Sequence, residues 1–437
     1  VKVTIIGGGS YSWGPTLLSD LALSDVVAGQ VCLMDIDPVA GERLCLLGRR
    51  YMAERGAPAQ VTFTGSLAAA LDGADYVIVS ITTGGLDAMR GDLEIPERYG
   101  IYQAVGDTVG PGGIARALRN IPVLVSIARE MERRCPGAWL INVTNPMTTL
   151  CRAVTRATPV RTIGLCHELR SVQRRARALL GDDGLPEWGV AGINHLPWVV
   201  GLTATALADF GTRMRRAVFA ATPEEDPFRD NFRVKLDLLE RYGTFPAAGD
   251  RHVAEFFSSY LSDPGAARER YGVRLTTIRD RETHRTQSVE AVLRQLDGRA
   301  PVTLRRSSEQ AVPVIEALAG SGRGTFVINV PNQGQLPGIP RDAIVECMAA
   351  IDEGGIHLHD APALSTAVRA WLHLHVAAQE LVVEAALEGG DGALQALLLD
   401  PLSHRLRTDE TRSLLRDLID HNARFMPAAA TDAAGGR

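Results

Sequence analysis

The sequence predicts an α/β fold in which a doubly wound, mostly parallel sheet is followed by a mixed α+β domain. Short runs rich in β-branched and aromatic residues alternate with helix-length segments in the first third of the chain. After residue 165 this alternation becomes less regular, which predicts two domains, 1–165 and 166–437. The predicted strands of the first domain are Val3–Ile6, Val31–Asp35, Val61–Thr64, Tyr76–Ile81 and Trp139–Val143.

The turn after the first strand is typical of a dinucleotide-binding site. Gly7 would allow a tight turn, and Gly9 would let the backbone approach a pyrophosphate at a helix N-terminus. Ser10 follows in the same turn and is assigned to the cofactor with them. The second strand ends in Asp35, whose carboxylate would bind a ribose 2′-hydroxyl and repel a 2′-phosphate; Asp37 is the competing choice. Together these features predict a Rossmann-like domain that binds NAD rather than NADP.

Polar and glycine-rich segments follow other predicted strands, at the edge where parallel sheets bind ligands. Thr82 follows the fourth strand and is assigned to the cofactor, and Asn145 follows the fifth. The segment 100–113 is too rich in glycine for a helix and too polar for a core strand. We therefore expect an ordered functional loop there rather than a mere connector. A helix beginning near Ile114 would offer its N-terminus to an anion.

Two motifs in the middle of the chain have the residue types of a metal site. A short apolar strand ends on Cys166, His167 and Glu168, and the pair Asn194-His195 follows about a helix's length further on. A soft sulfur and an imidazole from different elements could hold a divalent metal with open positions for a substrate. Cys166 and His195 are therefore the candidate ligands. The alternative for Cys166 alone is a small buried hydrophobic residue.

The second domain is expected to contain helices, strands and one crowded polar loop. Gly189–Asn194 and Trp198–Thr205 are predicted to be strands of a second sheet. The loop brings together an acid, a guanidinium and an imidazole, namely Asp250, Arg251 and His252. The remaining expectations are helices at Ser171–Leu180, Asp230–Arg241, Leu364–Leu387 and Ser413–Arg424, a turn at 181–184, a strand at Phe326–Val330 and a frayed tail after Pro427.

The composition is that of an ordinary globular enzyme. Of the 437 residues, 46% are hydrophobic and 22% are charged, and the formal net charge is −5 without a dense basic run. This charge argues against nucleic acid or an anionic membrane as the main partner. No apolar span reaches the length of a membrane helix, and the N-terminus lacks a signal-peptide pattern. Six scattered cysteines without a CxxC motif favour a reduced, cytoplasmic protein.

The motifs together resemble glycoside hydrolase family 4, the NAD- and divalent-metal-dependent glycosidases. The resemblance runs essentially end to end. The α-galacturonidase branch carries Cys-His-Glu-Val, where this chain has Leu169 in place of the valine, and phospho-glycosidases carry Asp or Asn where this chain has His167. A 6-phosphosugar substrate is therefore not expected. The specific motifs, in chain order, are Asn145-Pro146, Gly164-Leu165-Cys166-His167-Glu168, Gly192-Ile193-Asn194-His195 and Gly249-Asp250-Arg251-His252.

The resemblance implies an enzyme that cleaves α-galacturonides, with the C-terminal domain binding metal and substrate. The implied steps are NAD-mediated oxidation at C3, metal-assisted removal of the C2 proton, elimination, addition of water and re-reduction. The metal is usually Mn²⁺, the substrate a small oligosaccharide or uronide, and the assembly a homo-oligomer, either a dimer or a tetramer. The implied roles are metal ligation by Cys166 and His195, sugar contacts by Asn145 and Asn194, Asp250 as the base, and His167 or Asp107 as the acid.

A uronide substrate makes a further demand on the site. Its C6 carboxylate needs fixed hydrogen-bond donors if it is buried, and a guanidinium offers two parallel ones. Arg251 is the first candidate for this role, with His252 and His167 as further donors. The alternative is that Arg251 only pairs with Asp250 and orients it.

Other functions remain open at this point. Within the same family, the chain could be an α-glucosidase, an α-galactosidase or an α-glucuronidase. From another class, an NAD-dependent dehydrogenase of 2-hydroxyacids would share the opening fold, need no cysteine-based metal site and accumulate NADH. A non-catalytic NAD sensor is harder to reconcile with a cysteine, two histidines and an aspartate gathered in loops.

Overall fold

Eleven strands form one continuous sheet in the computed structural model, which describes residues 1–181, 187–221 and 228–426. The strands are β1 (Lys2–Ile6), β2 (Gln30–Met34), β3 (Gln60–Thr64), β4 (Tyr76–Val79), β5 (Trp139–Asn142), β6 (Arg161–Gly164), β7 (Gly189–Ile193), β8 (Leu196–Val200), β9 (Gly324–Pro331), β10 (Ile344–Asp352) and β11 (Gly355–Leu358). Their order in the sheet is β3-β2-β1-β4-β5-β6-β9-β10-β7-β8, and β11 pairs with β10.

The first six strands are all parallel to one another. Their order is that of a Rossmann sheet, so the predicted doubly wound fold is confirmed. Successive side chains of a strand point to opposite faces, and here both faces are covered: Val3 and Ile5 pack in one core, and Ile6 packs in the other. Burial on both faces explains why these strands are nearly continuous apolar runs.

The later strands extend the same sheet, so the expectation of a second sheet is wrong. β9 runs antiparallel to β6 and pairs Asn329 with Gly164. β10 pairs with β9, and β7 pairs with β10, which places the β7–β8 hairpin in the common sheet. A strand pattern reveals which face is buried, but the neighbouring strand is decided by long-range packing. The expected strand Trp198–Thr205 is also too long, because β8 ends at Val200 and a helix begins at Ala204.

Helices cover both faces of the sheet. They are α1 (Gly14–Ala22), α2 (Pro38–Arg55), α3 (Leu67–Leu71), α4 (Gly85–Arg98), α5 (Gly110–Arg134), α6 (Met147–Ala157), α7 (Glu168–Leu180), α8 (Ala204–Ala220), α9 (Arg233–Tyr242), α10 (Asp250–Ala254), α11 (Pro264–Tyr271), α12 (Ile278–Leu296), α13 (Ala311–Leu318), α14 (Thr366–Glu388), α15 (Gly392–Leu399) and α16 (Thr408–His421). The four helices expected in the second domain are present as α7, α9, α14 and α16, with shifted ends.

The helix expected near Ile114 begins earlier, which corrects the extent of the predicted loop. α5 begins at Gly110, so the last four residues of that loop, Gly-Pro-Gly-Gly, form the first helical turn. The Gly110 N–H donates to Oδ2 of Asp400 at 3.0 Å, and the Gly112 N–H donates to Oε1 of Gln103 at 2.9 Å. These acceptors satisfy N–H groups that have no partner within the helix, and they explain why a glycine-rich segment is helical here.

Several sequence-based expectations are limited by the range of the described residues. The turn predicted at 181–184, apart from Gly181, and the tail predicted after Pro427 lie outside that range. The division into domains at residue 165 stays a prediction, and the sheet is continuous across it. All six cysteines are free thiols. Among the described helices, none combines the length and apolar character needed to cross a membrane.

Candidate active site

The glycine turn after β1 has the backbone geometry that a dinucleotide site needs. Gly7 has a φ of +85°, and the N–H groups of Gly7 and Gly8 both donate to the Met34 carbonyl. The Gly9 N–H donates to Oδ2 of Asp35 at 2.8 Å. A Cβ atom on Gly9 would collide with this carboxylate, so only glycine keeps the turn this close to the end of β2.

Asp35 and Asp37, the two candidates for the ribose ligand, have different surroundings. Oδ1 of Asp37 accepts hydrogen bonds from the N–H groups of Val39 and Ala40, so Asp37 is the N-cap of α2. Asp35 follows the carboxyl end of β2 directly and contacts the glycine turn. The geometry therefore favours Asp35 over Asp37 as the residue that faces a ribose.

Ser10 and Thr82, the other residues assigned to the cofactor, lie at the same edge of the sheet. Oγ of Ser10 accepts from the Trp13 N–H at 3.2 Å and shapes the start of α1. Thr82 is exposed after β4, and its carbonyl accepts from the Gly85 N–H at the start of α4. β1 and β4 are adjacent strands, and the strand order reverses between them. Crevices at such a reversal are where doubly wound sheets bind ligands.

Asp107, His195 and His252 form the one group of metal-binding side chains found among the described residues. One ligand atom from each lies within 4.8 Å of the others. Both histidines are buried and Asp107 is largely so. The three come from the α4–α5 connection, the β7–β8 hairpin and α10. The tertiary fold, rather than any local motif, brings them together.

The β7–β8 hairpin holds Asn194 and His195 in a two-residue connection. β7 ends at Ile193 and β8 begins at Leu196. His195 has a left-handed backbone with a φ of +64°, which costs roughly 1–2 kcal/mol for a residue with a Cβ atom. Strain of this kind at a buried polar residue is typical of functional sites.

Thr108 determines which nitrogen of His195 is available to a ligand. The Thr108 hydroxyl lies 2.7 Å from Oδ1 of Asp107 and 2.7 Å from Nδ1 of His195. An ionised carboxylate can only accept, so the hydroxyl donates to Asp107 and accepts from the Nδ1–H of His195. Nε2 of His195 then carries the lone pair that a metal ion requires.

α10 places His252 against His195. The segment before α10 pairs with β8 through Pro246 and Trp198. The two imidazole rings have centroids 3.8 Å apart. Nδ1 of His252 lies 3.7 Å from Oδ1 of Asp107 and has no hydrogen-bond partner among the described residues. A cation between these groups would satisfy that nitrogen.

Burial and neighbouring charges set the protonation of the cluster. Burial lowers the pKa of His195, and burial together with His195 lowers the pKa of His252 to about 3. Both imidazoles are therefore neutral at neutral pH. Burial opposes ionisation of Asp107, but interactions with His252, His195 and Arg116 and the hydrogen bond from Thr108 bring its pKa well below the usual range. While both rings are neutral, the Arg116 charge and the Thr108 hydroxyl keep the carboxylate ionised. Neutral imidazoles and a carboxylate are a donor set suited to divalent first-row metals.

Cys166 lies at the end of β6 and is not a member of this group of three. Its side chain is half-buried. Burial, Glu346 and Glu168 raise the pKa of the Cys166 thiol well above its ordinary value, while a hydrogen bond from the Asn194 amide opposes this rise. The thiol is thus protonated when no cation is present, and metal binding would release its proton.

His167, by contrast, has the environment of a proton donor. Its ring nitrogens lie 3.4 Å from Oε1 of Glu168 and 3.6 Å from Oε1 of Glu309. Burial disfavours the charged ring, but these two carboxylates raise the pKa of His167 to about 9. The imidazolium present at neutral pH carries a proton to give. Ionised Asp107 does not, so of the two predicted acids His167 has the better-matched charge state.

Asp250 opens α10, two residues before His252, and its carboxylate contacts α9. The carboxylate accepts from the N–H groups of Val234 and Lys235 at 3.1 and 3.2 Å, and from Nζ of Lys235 at 2.7 Å. Burial raises the pKa of Asp250 to about 6, although Lys235 opposes this rise. The structure therefore brings the predicted base into the α10 segment but does not place it in the cluster of Asp107 and the two histidines.

Asn145 and Arg251, both predicted substrate ligands, lie next to the cluster. Nδ2 of Asn145 donates to Oδ2 of Asp107 at 3.3 Å, and Oδ1 of Asn145 is buried with no partner among the described residues. Arg251 donates to Oγ1 of Thr276 at 2.6 Å, and its guanidinium lies 5.1 Å from the centre of the Phe228 ring. Thr276 and the Phe228 ring therefore help to fix the Arg251 guanidinium.

Glu255 supports the turn that carries Asp107. Oε1 of Glu255 accepts from the N–H groups of Val105 and Gly106 at 2.6 and 2.8 Å. Its Oε2 is buried without a partner among the described residues, and burial raises the pKa of Glu255 to about 8. A largely neutral carboxyl group therefore fixes the two residues that precede Asp107.

Three buried polar residues that act on the site were not predicted from the sequence: Thr108, Glu255 and Glu346. Thr108 lies inside the loop that was predicted to be functional. The sequence therefore indicated the region of Thr108, but not its hydrogen bond to His195. Glu346 offered a direct signal, because it is an acid in the otherwise apolar run Ile344–Met348. An acid in such a strand is costly unless it is hydrogen-bonded, and this points to a buried polar network.

The sequence matches two family models that together span most of the chain. The model described as family 4 glycosyl hydrolase matches residues 2–181, and the model of the family 4 glycosyl hydrolase C-terminal domain matches residues 190–403. The chain belongs to glycosyl hydrolase family 4. It is a glycosidase, and the family predicted from the sequence motifs is confirmed.

Relatives of this family 4 glycosidase match it over nearly their full lengths. An α-galacturonidase of Thermoanaerobacterium saccharolyticum is 34% identical over 98% of this chain and 96% of its own length. One of Bacillus subtilis is 35% identical over 96% and 97%. The solved structure of lplD from Bacillus subtilis has a TM-score of 0.88 at 34% identity, covering 96% of this chain and 99% of its own. A 6-phospho-α-glucosidase from gut microorganisms, solved with NAD and Mn²⁺, shares the fold, with a TM-score of 0.81 at 21% identity over 98% and 99%.

The contacts of Glu255 generate a prediction about the Asp107 turn. Replacing Glu255 by Ala removes two backbone hydrogen bonds, and we expect a loss of about 2–4 kcal/mol in unfolding free energy. Hydrogen exchange should increase in residues 101–109. Glu255→Gln keeps a carbonyl acceptor in place of a largely neutral carboxyl group, so it should protect that turn almost as well as the native residue. Equal exchange of the turn in the native protein and Glu255→Ala would contradict this role.

Proposed function

We propose that this family 4 glycosidase is an α-galacturonidase that works with NAD and a divalent metal ion, Mn²⁺ in the first instance. The observation that carries the substrate assignment is the similarity to α-galacturonidases along nearly the whole chain. When bound, NAD supplies reversible hydride transfer, and the metal ion supplies Lewis-acid stabilisation of developing negative charge.

The residues present fit both groups. Gly7, Gly9 and Ser10 form a turn beside Asp35 in which a backbone, but not a side chain, can approach a pyrophosphate. Nε2 of His195 is the free nitrogen on the metal side. Asp107 and His252 lie within reach of the same position, and Cys166 is the thiolate ligand proposed with them. Thr82 is proposed to contact the cofactor, and Asn145 to contact both cofactor and sugar.

The remaining roles belong to proton transfers and sugar binding. We assign proton abstraction to Asp250, because a carboxylate with a pKa of about 6 is matched to general-base chemistry near neutral pH. Asp107 is the next candidate because of its position in the cluster. We assign protonation of the leaving oxygen to His167, whose imidazolium is stabilised by Glu168 and Glu309.

A pair of guanidinium groups supports a substrate with a negative charge at C6. Arg251 and Arg281 both lie over the Phe228 ring, at 5.1 and 5.5 Å from its centre. Nε of Arg281 is buried and has no hydrogen-bond partner among the described residues. Burial lowers the pKa of Arg281, whereas the charge of Asp107 raises it. Arg281 is therefore close enough to Asp107 to interact with it. A substrate carboxylate would give this buried donor a partner.

The cofactor assignment predicts a difference between two neighbouring aspartates. Asp35→Ala should weaken NAD binding about 10-fold and NADP binding less, because the lost carboxylate bonds a ribose hydroxyl but repels a phosphate. Asp37→Ala is the matched control: it removes the α2 cap, should cost about 1 kcal/mol of stability and should leave the NAD-to-NADP ratio unchanged. Dissociation constants from calorimetry test this. An equal loss of NAD and NADP in Asp35→Ala would mean that another residue recognises the ribose.

The metal assignment predicts that His195→Ala and Cys166→Ser each weaken Mn²⁺ binding by more than about 100-fold. Loss of a residue that only supports a ligand typically weakens metal binding by about 10- to 100-fold. Titration followed by electron paramagnetic resonance measures this without turnover. Cys135→Ser, a change at a buried cysteine outside the proposed site, is the control and should bind Mn²⁺ normally. Unchanged affinity in Cys166→Ser, with lost affinity in His252→Ala, would restrict the ligands to Asp107 and the two histidines.

The substrate assignment is tested with digalacturonate and aryl α-glycosides of galacturonic acid, galactose, glucose and glucuronic acid. The native enzyme should prefer the galacturonide. Arg251→Ala and Arg281→Ala should each reduce its cleavage by about 10- to 100-fold and affect residual galactoside cleavage far less. Arg285→Ala, an exposed change on the same helix as Arg281, should match the native enzyme. A native preference for the neutral galactoside or glucoside would overturn the galacturonide assignment.

A further inference from the structure

A row of residues crosses four strands between the end of β6 and the β7–β8 hairpin. Gly164 of β6 pairs with Asn329 of β9, Asn329 pairs with Glu346 of β10, and Glu346 pairs with Gly192 of β7. The two outer positions are glycines. A Cβ atom on Gly164 would lie 2.9 Å from the Cβ of Asn329, so glycine there leaves room for the amide. Two polar side chains therefore occupy the middle of a sheet, between two residues without side chains.

One carboxylate oxygen binds both amides of this region. Oε2 of Glu346 accepts from Nδ2 of Asn194 at 2.8 Å and from Nδ2 of Asn329 at 3.0 Å. All three side chains are almost completely buried, with 0 to 1% of each residue exposed. Because this oxygen accepts from both side chains, each amide turns its NH₂ side towards Glu346. The orientation of both amides is thereby set.

This orientation leaves the carbonyl oxygen of each amide pointing away from Glu346. Oδ1 of Asn194 and Oδ1 of Asn329 are both buried and have no hydrogen-bond partner among the described residues. Buried polar atoms are seldom left unpaired in a folded protein unless a ligand or water completes them. These two carbonyl oxygens lie near the end of β6, which Cys166 follows. Each can accept a hydrogen bond from a bound ligand.

We propose that Asn329 is a sugar-binding residue that accepts a hydrogen bond from a substrate hydroxyl, and that Glu346 is a positioning residue that orients the amides of Asn194 and Asn329. Hydroxyl groups are the donors that a sugar offers in number, and an amide oxygen accepts from them without introducing charge. The inference rests on the proposed location of the sugar site. It is independent of whether the sugar is a uronide, because a hydroxyl rather than the C6 group is the donor.

Binding of galacturonate and of galactose to the protein loaded with NAD and Mn²⁺, measured by calorimetry, tests the proposal. Asn329→Ala should raise the dissociation constant of the preferred sugar at least 10-fold and leave that of NAD unchanged. Asn332→Ala is the matched control. Asn332 is a buried asparagine just beyond the same strand, but its amide is fully used by backbone groups of residues 334–340. That variant should lower the melting temperature and keep the sugar affinity within about twofold.

The role of Glu346 is tested by two replacements in the same assay. Glu346→Gln keeps a carbonyl oxygen that can accept from both amides, and it should bind sugar within about threefold of the native protein. Glu346→Leu has no acceptor, frees both amides to rotate, and should lose at least as much affinity as Asn329→Ala. The dissociation constant of NAD reports that each variant is folded. Equal losses in the Gln and Leu variants would overturn the positioning role.

Asn194→Ala separates failure of this inference from failure of the proposed site. If Asn194→Ala weakens sugar binding and Asn329→Ala does not, the role of Asn329 is overturned and the proposed site stands. If neither weakens it, both the inference and the location of the sugar site are overturned. If the protein binds galactose but not galacturonate, and the Asn329 and Glu346 variants behave as expected, the inference holds and only the uronide assignment fails.

Discussion

The antiparallel pairing of β9 with β6, at Asn329 and Gly164, is the constraint on which the site depends. It joins the Rossmann half of the sheet to the antiparallel half. Because β10 and β7 follow in register, the β7–β8 hairpin comes down to the level at which β6 ends. The hairpin residue His195 and the Cys166 that follows β6 thus belong to one region, although they come from different halves of the fold. A shift of one residue in this register would turn Glu346 and Asn329 to the opposite face.

Ionisable side chains that lie close together in this region have different protonation states, and this suits them to different chemical roles. Burial keeps the imidazoles of His195 and His252 neutral, so both can act as ligands. The same protein keeps the imidazole of His167 charged, because two carboxylates flank it at the edge of the buried region. Asp107 is ionised next to neutral rings. The surroundings of each histidine, rather than its residue type, therefore determine whether it can act as a metal ligand or as an acid.

The sequence predicted best those features that depend on residues close together in the chain. Strands in alternation with helices, the glycine turn and the acid after β2 predicted the Rossmann half, because these signals are local. Cys166, His195 and Asp250 were identified through motifs. The common sheet was not predictable, since a strand's pattern does not specify its neighbour. Nor were the roles of Thr108 and Glu346, because both act on residues far away in sequence: His195, Asn194 and Asn329.

The proposed chemistry differs from ordinary glycoside hydrolysis in one respect that can be measured. Removal and return of a proton at C2 accompany every bond cleaved, whereas hydride leaves and returns to the same sugar. Turnover of an α-galacturonide in D₂O with a catalytic amount of NAD⁺ and Mn²⁺ tests this directly. The proposal predicts product that carries deuterium at C2, with no stoichiometric rise in NADH absorbance. Product without deuterium at C2, or one NADH formed for each substrate consumed, would contradict it.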